Sequence, residues 1–81
     1  MKQYRMFEIS VSGPDETHGT YVKIQDTNNG EKAMLPWDYH YNHEKDIAID
    51  FLQSKGIEIE AYGRFNNQTI LCAINFEESL R

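Results

Sequence analysis

The chain is short of nearly every residue that marks a specialised class of protein. It has one cysteine, Cys72, in 81 residues. A lone thiol closes no internal disulfide, so a disulfide-stapled secreted scaffold is excluded and a reducing, cytoplasmic setting is expected. Two prolines and five glycines exclude collagen-like and low-complexity chains. No apolar run approaches the ~20 residues of a membrane span. The N-terminal MKQYRMFEIS lacks the apolar stretch of a signal peptide, so no membrane association is expected. Positive charge is also scarce. Eight Lys and Arg face thirteen Asp and Glu, a net charge of −5. Nucleic-acid binders displace counterions with a basic patch. Here Arg5, Lys23, Lys32 and Arg64 are scattered among acids, so no direct nucleic-acid binding is expected.

The composition otherwise suits one folded domain over residues 1–81. Hydrophobic residues make up 40% and aromatics 12%, too many for a disordered chain. The acidity is uneven. Residues 1–35 carry a net −1, residues 36–60 a net −4, and residues 61–81 balance at zero. Such an imbalance steers basic partners, although it also serves as a solvated face that keeps a protein soluble.

Alternation predicts a strand over Tyr4–Ser12, with Phe7, Ile9 and Val11 on one face. A Gly/Pro/Asp-rich loop follows over Ser12–Gly19, then a strand over Thr20–Asp26. Asn29-Gly30 is a hairpin signal because both turn residues take positive φ. A two-residue turn there sets Ile24 opposite Leu35 and Val22 opposite Trp37. Pro36 donates no ladder hydrogen bond, so the third strand is expected to be an edge or to end there. A helix is predicted over Asn42–Lys55, with Asn42 as N-cap and an apolar stripe of Ile47, Ala48, Phe51 and Leu52. Gly56 suits the left-handed position that ends it, and Ile57 the contact back to Leu52. A second hairpin, Ile57–Phe65 with Gln68–Phe76, turns at Asn66-Asn67. It pairs Ile57 with Phe76, Ile59 with Ile74, Ala61 with Cys72 and Gly63 with Ile70, all facing inward. Glu58, Glu60, Tyr62 and Arg64 then face outward. The fold expected is α+β, in the order β-β-β-α-β-β, an antiparallel sheet with one helix packed on its apolar face.

Three segments carry functional signals. The first is Trp37-Asp38-Tyr39-His40-Tyr41-Asn42-His43-Glu44, between the third strand and the helix. His40 and His43 are three apart and could share a metal, with Asp38 or Glu44 adding an oxygen. Structural zinc sites bring two such pairs and there is no second one, so no metal or other cofactor is expected. The same segment reads as a contact surface, because Trp and Tyr concentrate at interfaces. The second is the outer helix face, where Asp46, Asp50 and Gln53 surround Ile49 at the border of the apolar stripe. The third is the outward side of the last hairpin, where Tyr62 is expected beside Leu71 and Ala73 and flanked by Glu58 and Glu60.

Catalysis is not expected. Cys72 is placed inward as a small core residue. A carboxylate pair such as Glu58 and Glu60 needs a cleft and one raised pKa to act as acid and base. No Gly-rich phosphate loop, nucleophile elbow or zincin pair is present.

These signals favour a non-enzymatic, acidic protein-binding module, monomer or homodimer, with a larger partner that presents a basic surface. Its contact residues would be Trp37, Asp38, Tyr39, Tyr41, Glu44, Asp46, Ile49 and Asp50, with Glu58, Glu60 and Tyr62 second. Carboxylates stand in for phosphates, so such a domain could act as a nucleic-acid mimic and block a nucleic-acid-handling or defence protein. In size and charge it is similar to the small anti-defence inhibitors of bacteriophages. The alternatives are a nucleotide-like small-ligand binder with a pocket of Trp37, Tyr39 and Tyr41, and a structural accessory subunit that lends a sheet edge. A nucleotide pocket would need Lys32, Lys45 or Arg64 to converge on it.

Overall fold

Phe7 and Ile9 alternate with Met6, Glu8 and Ser10 along β1 (Arg5–Ser12), and that period of two fixes which side of the strand faces the core. The computed structural model describes residue 1, residues 3–13 and residues 19–80. The loop expected after Ser12 falls largely on residues 14–18, outside the described residues, as does His18. The other elements are β2 (Tyr21–Asp26), β3 (Lys32–Pro36), α1 (Glu44–Ser54), β4 (Ile59–Phe65) and β5 (Gln68–Ala73). All strands are antiparallel in one sheet of order β3-β2-β1-β5-β4. The single helix covers one face, as the sequence predicts.

The core lies between that helix and the sheet. Ile47, Ala48 and Leu52 of α1 meet Phe7 and Ile9 of β1, Val22 and Ile24 of β2, and Leu71 and Ala73 of β5. Phe51, expected with them, is half-buried against the same cluster. The helix ends as the glycine predicts. Gly56 takes φ +84°, and the Ile57 N–H returns to the Leu52 carbonyl at 3.0 Å, closing a left-handed C-terminal cap. Its start differs from expectation. His43, not Asn42, holds the N-cap position, and no side chain caps it.

The first hairpin is shifted by two residues from the predicted register. Val22 pairs with Leu35 and Ile24 with Ala33. The connection is the four-residue loop Thr27–Gly30, where the Gly30 N–H reaches the Asp26 carbonyl at 2.9 Å and Gly30 takes φ +79°. Asp26 Oδ1 accepts the Asn28 N–H at 2.8 Å, and this side-chain turn displaces the tighter one. An even shift keeps every side chain on its predicted face. β3 is an edge strand and ends at Pro36, as expected.

The second hairpin has the predicted turn, with Asn66 at φ 51° and Asn67 at φ 63°. Ala61 pairs with Cys72 and Gly63 with Ile70, as predicted. The facing is reversed. Leu71 and Ala73 are fully buried, while Cys72 and Ile70 lie on the open side of the sheet opposite Met6 and Glu8. Ile59 pairs with Ala73 rather than Ile74, and the register slips between Ile59 and Ala61. The extra residue, Glu60, is a bulge that inverts the side of everything after it. The expected Ile57–Phe76 pair is absent because β5 ends at Ala73; Ile57 is buried and Phe76 is exposed.

Beyond β5 the chain crosses the end of the core. Asn75 Nδ2 donates to the Gly56 carbonyl at 2.6 Å and to Glu78 Oε2 at 2.7 Å, and its Oδ1 accepts the Glu58 N–H at 3.0 Å. Anchored this way, the tail delivers Leu80 into the core at 4% exposure.

Candidate functional site

The segment that follows β3 is folded by its own polar side chains. Asp38 Oδ1 accepts the His40 N–H at 2.9 Å, and His40 Nδ1 lies 2.8 Å from the same oxygen. This closes a local turn, seconded by the Tyr41 N–H to the Asp38 carbonyl at 3.1 Å. The His40 backbone N–H, first, and its ring nitrogen hold the Asp38 carboxyl below its ordinary value. Tyr41 then fastens the segment to the helix, its hydroxyl donating to Asp50 Oδ2. That bond is the main reason the Tyr41 phenol is raised above its ordinary value. The charges of Asp50, Asp38 and Asp46 add to it. Of the acids predicted from sequence, Asp50 is thus bonded to this phenol, while Asp38 and Asp46 act on it through charge alone.

Together these residues line an open hollow of about 590 Å³. Trp37 and Tyr41 form its inner wall, half-buried against the core. Asp38 and Asp50 stand at its rim, with Ile47 and Phe51 of the helix beneath. Tyr39 projects from it at 90% exposure. Aromatic faces beside fixed carboxylates attract a cation by two routes, the ring quadrupole and direct charge pairing.

The remaining predicted residues are elsewhere. Ile49 packs against the core and is partly buried, so it is no exposed anchor. Glu44 and His43 open onto a smaller hollow with Lys45, Tyr62, Arg64 and Thr69. There Lys45 Nζ stands 4.3 Å over the Tyr62 ring. Tyr62 thus lies on the helix side of the sheet, and its expected exposed neighbours, Leu71 and Ala73, are in the core. Glu58 and Glu60 flank the start of β4 with the end of the helix. β3 and β4 are opposite edges of the sheet, about 19 Å apart at the usual strand spacing. The acids named from sequence therefore form two surfaces and not one.

His40 and His43 also separate, one beside Asp38 in solvent and the other at the helix start. Among the described residues no group of three or more His, Cys, Asp or Glu is placed to hold a metal ion. Among the described residues no helix is long and apolar enough to cross a membrane. Lys45 is committed to Tyr62, and Arg64 Nη2 reaches the Asn67 carbonyl at 3.4 Å. Neither lines the aromatic hollow, nor does Lys32.

Sequence reasoning missed two features. One is the ion pair of Arg5 with Asp26 inside the core. Its signal was available: Arg5 shares strand parity with Phe7, and Asp26 with Ile24. The other is the apolar open face of the sheet around Ile70 and Cys72, hidden because both faces of β5 are apolar in sequence. Comparison with protein families, with curated proteins and with solved structures finds no match.

Proposed function

We propose that the protein is a non-enzymatic acidic module that docks on a basic surface of a larger protein through Trp37, Asp38, Tyr39, Tyr41, Asp46 and Asp50. The observation that carries this reading is the placing of Asp38 and Asp50 around one hollow with Trp37, Tyr41 and the exposed Tyr39, with Tyr41 bonded to Asp50. Preorganised carboxylates next to rigid aromatic rings suit the guanidinium of an arginine-rich groove. A groove of that kind ordinarily receives nucleic-acid phosphates, so occupation by this segment would block it. A nucleotide-binding role is less favoured, because none of the three cations that could hold phosphate lines the hollow.

The test is a titration with a poly-arginine peptide at low salt, followed by the fluorescence of the single tryptophan, Trp37. Asp38→Lys with Asp50→Lys should weaken binding at least about tenfold. Glu58→Lys with Glu60→Lys makes the same change in net charge at the other edge and should cost less than about threefold. Equal losses from the two pairs, or no response of the wild type, would exclude this segment as the binding surface.

A further inference from the structure

We infer that the open face of the sheet is a self-association surface, which pairs two copies of this chain face to face across β4 and β5. This inference is independent of the acidic docking segment, whose Asp38 and Asp50 line a hollow with the helix at the far edge of the sheet.

The open face is apolar where the bulge at Glu60 turns it outward. Ala61, Gly63 and Phe65 of β4 stand beside Ile70 and Cys72 of β5 and Met6 of β1. Met6, Gly63, Phe65, Ile70 and Cys72 line a hollow of about 650 Å³, to which Glu8 and Arg64 add one charge of each sign. Phe65 rises at its border, 69% exposed. Gly63 leaves a gap one pair of residues further along the same strand.

Gly63 is the informative residue. Glycine in a strand interior weakens the strand unless something requires it there. Nothing among the described residues does. Its φ is not in the left-handed region, and a Cβ built on it would meet no atom within 4 Å. The gap is used only if a group from outside enters it. A protruding ring and an adjacent hollow on one strand are self-complementary under a two-fold axis, each Phe65 entering the space over the other copy's Gly63.

Charge favours a second copy of this acidic chain over a basic partner on this face. The chain as a whole carries −5. Among the paired strand residues on this face the charged ones are Glu8, Lys23 and Lys32. Arg64 also lines the hollow, so the face carries none of the chain's acidic excess, and it is where two strongly acidic molecules repel least. The size also suffices. A stable dimer buries about 800 Å² per copy, roughly a seventh of the 5590 Å² exposed by the chain. The open face is one of the two broad sides of a single-sheet domain.

The test is sedimentation equilibrium of the full chain from low to high micromolar concentration. Wild type should move from monomer to twice the monomer mass. Gly63→Val should raise the dimer dissociation constant at least about tenfold. Valine is a better strand former than glycine, so that variant should stay folded by circular dichroism and melt no lower as a monomer. Phe65→Glu should act in the same direction. Asp38→Lys with Asp50→Lys should leave the dimer intact. A wild type that remains monomeric at several hundred micromolar overturns the inference and leaves the face to a partner of another sequence. So does a Gly63→Val protein that dimerises as the wild type does.

Discussion

Arg5 holds the carboxylate of Asp26 through two nitrogens, Nε at 3.0 Å and Nη2 at 2.6 Å, with neither side chain exposed to solvent. The pair ties the central strand β1 to β2. The remaining bonds extend it. Asp26 Oδ1 fixes the turn at Asn28, and Arg5 Nη1 donates to the Asn75 carbonyl at 3.4 Å. Three parts of the chain distant in sequence meet at one buried guanidinium.

Breaking that pair from one side leaves a buried charge without its partner. Asp26→Asn and Arg5→Met should each cost about 3–5 kcal/mol in urea unfolding. The double variant should recover at least half of the summed loss, because it buries no charge. Strictly additive losses would mean that the two side chains act separately.

The facing of β5 is checked by moving the single thiol. Cys72 is on the open side and partly exposed, so it should react with a small thiol reagent in the folded monomer. Thr69 is buried at 4% exposure. A Thr69→Cys, Cys72→Ser protein should react only on unfolding. The reverse order of rates would restore the facing read from sequence.

The acidic segment has a pH signature at each extreme. The Asp38 pKa is lowered, so the stability it contributes is present above the ordinary carboxylate value and is lost as pH falls through the depressed one. The 38–40 turn should therefore hold at neutral pH and loosen only in acid below about pH 4. The Tyr41 pKa is raised, so its contribution is complete below the ordinary phenol value and fades as pH climbs through the raised one, above about pH 10. Ultraviolet titration should show a tyrosine step displaced above the ordinary phenol range. Tyr41→Phe should abolish that late step, and its persistence would assign it to another ring.

The tail should matter to the fold in proportion to what it buries. Leu80→Ala should destabilise by about 2–4 kcal/mol, as for a leucine in a closed core. Asn75→Ala removes three hydrogen bonds and should cost about 1–3 kcal/mol. A loss under about 0.5 kcal/mol for Leu80→Ala would mean that the tail lies loosely on the core in solution.

Much of this fold is legible in the sequence because the periods are clear. Phe7 and Ile9, Val22 and Ile24, and the Ile47–Leu52 stripe each point one way, and Gly56 and Asn66-Asn67 mark their turns. Two readings fail for local reasons. Asp26 folds its own turn and moves the first hairpin by two residues. In β5 the run Thr69-Ile70-Leu71-Cys72-Ala73 is apolar on both sides, so alternation cannot choose a face. The choice is made by β1, which sets Phe7 against Leu71, and the bulge at Glu60 reconciles β4 with it. The aromatic-acidic segment was visible as composition. That Asp50 would join it, and that Glu44, Glu58 and Tyr62 would not, depended on the path of the helix across the sheet.

The place of β1 at the middle of the sheet bears on how the chain is made. Its two neighbours are β2, which follows it directly, and β5, which is made only after β3, α1 and β4. Until residues 68–80 have left the ribosome, one side of β1 has no partner and the core lacks Leu71, Ala73 and Leu80. The nascent β1-β2-β3 ribbon must wait with one edge of β1 open and with Phe7 and Ile9 short of their partners from β5. Folding is thus expected to wait until residues 68–80 have been made, because the pairing of β1 with β5 joins segments distant in sequence. In that interval the ribbon is the form most open to strand-pairing with other chains and to chaperones.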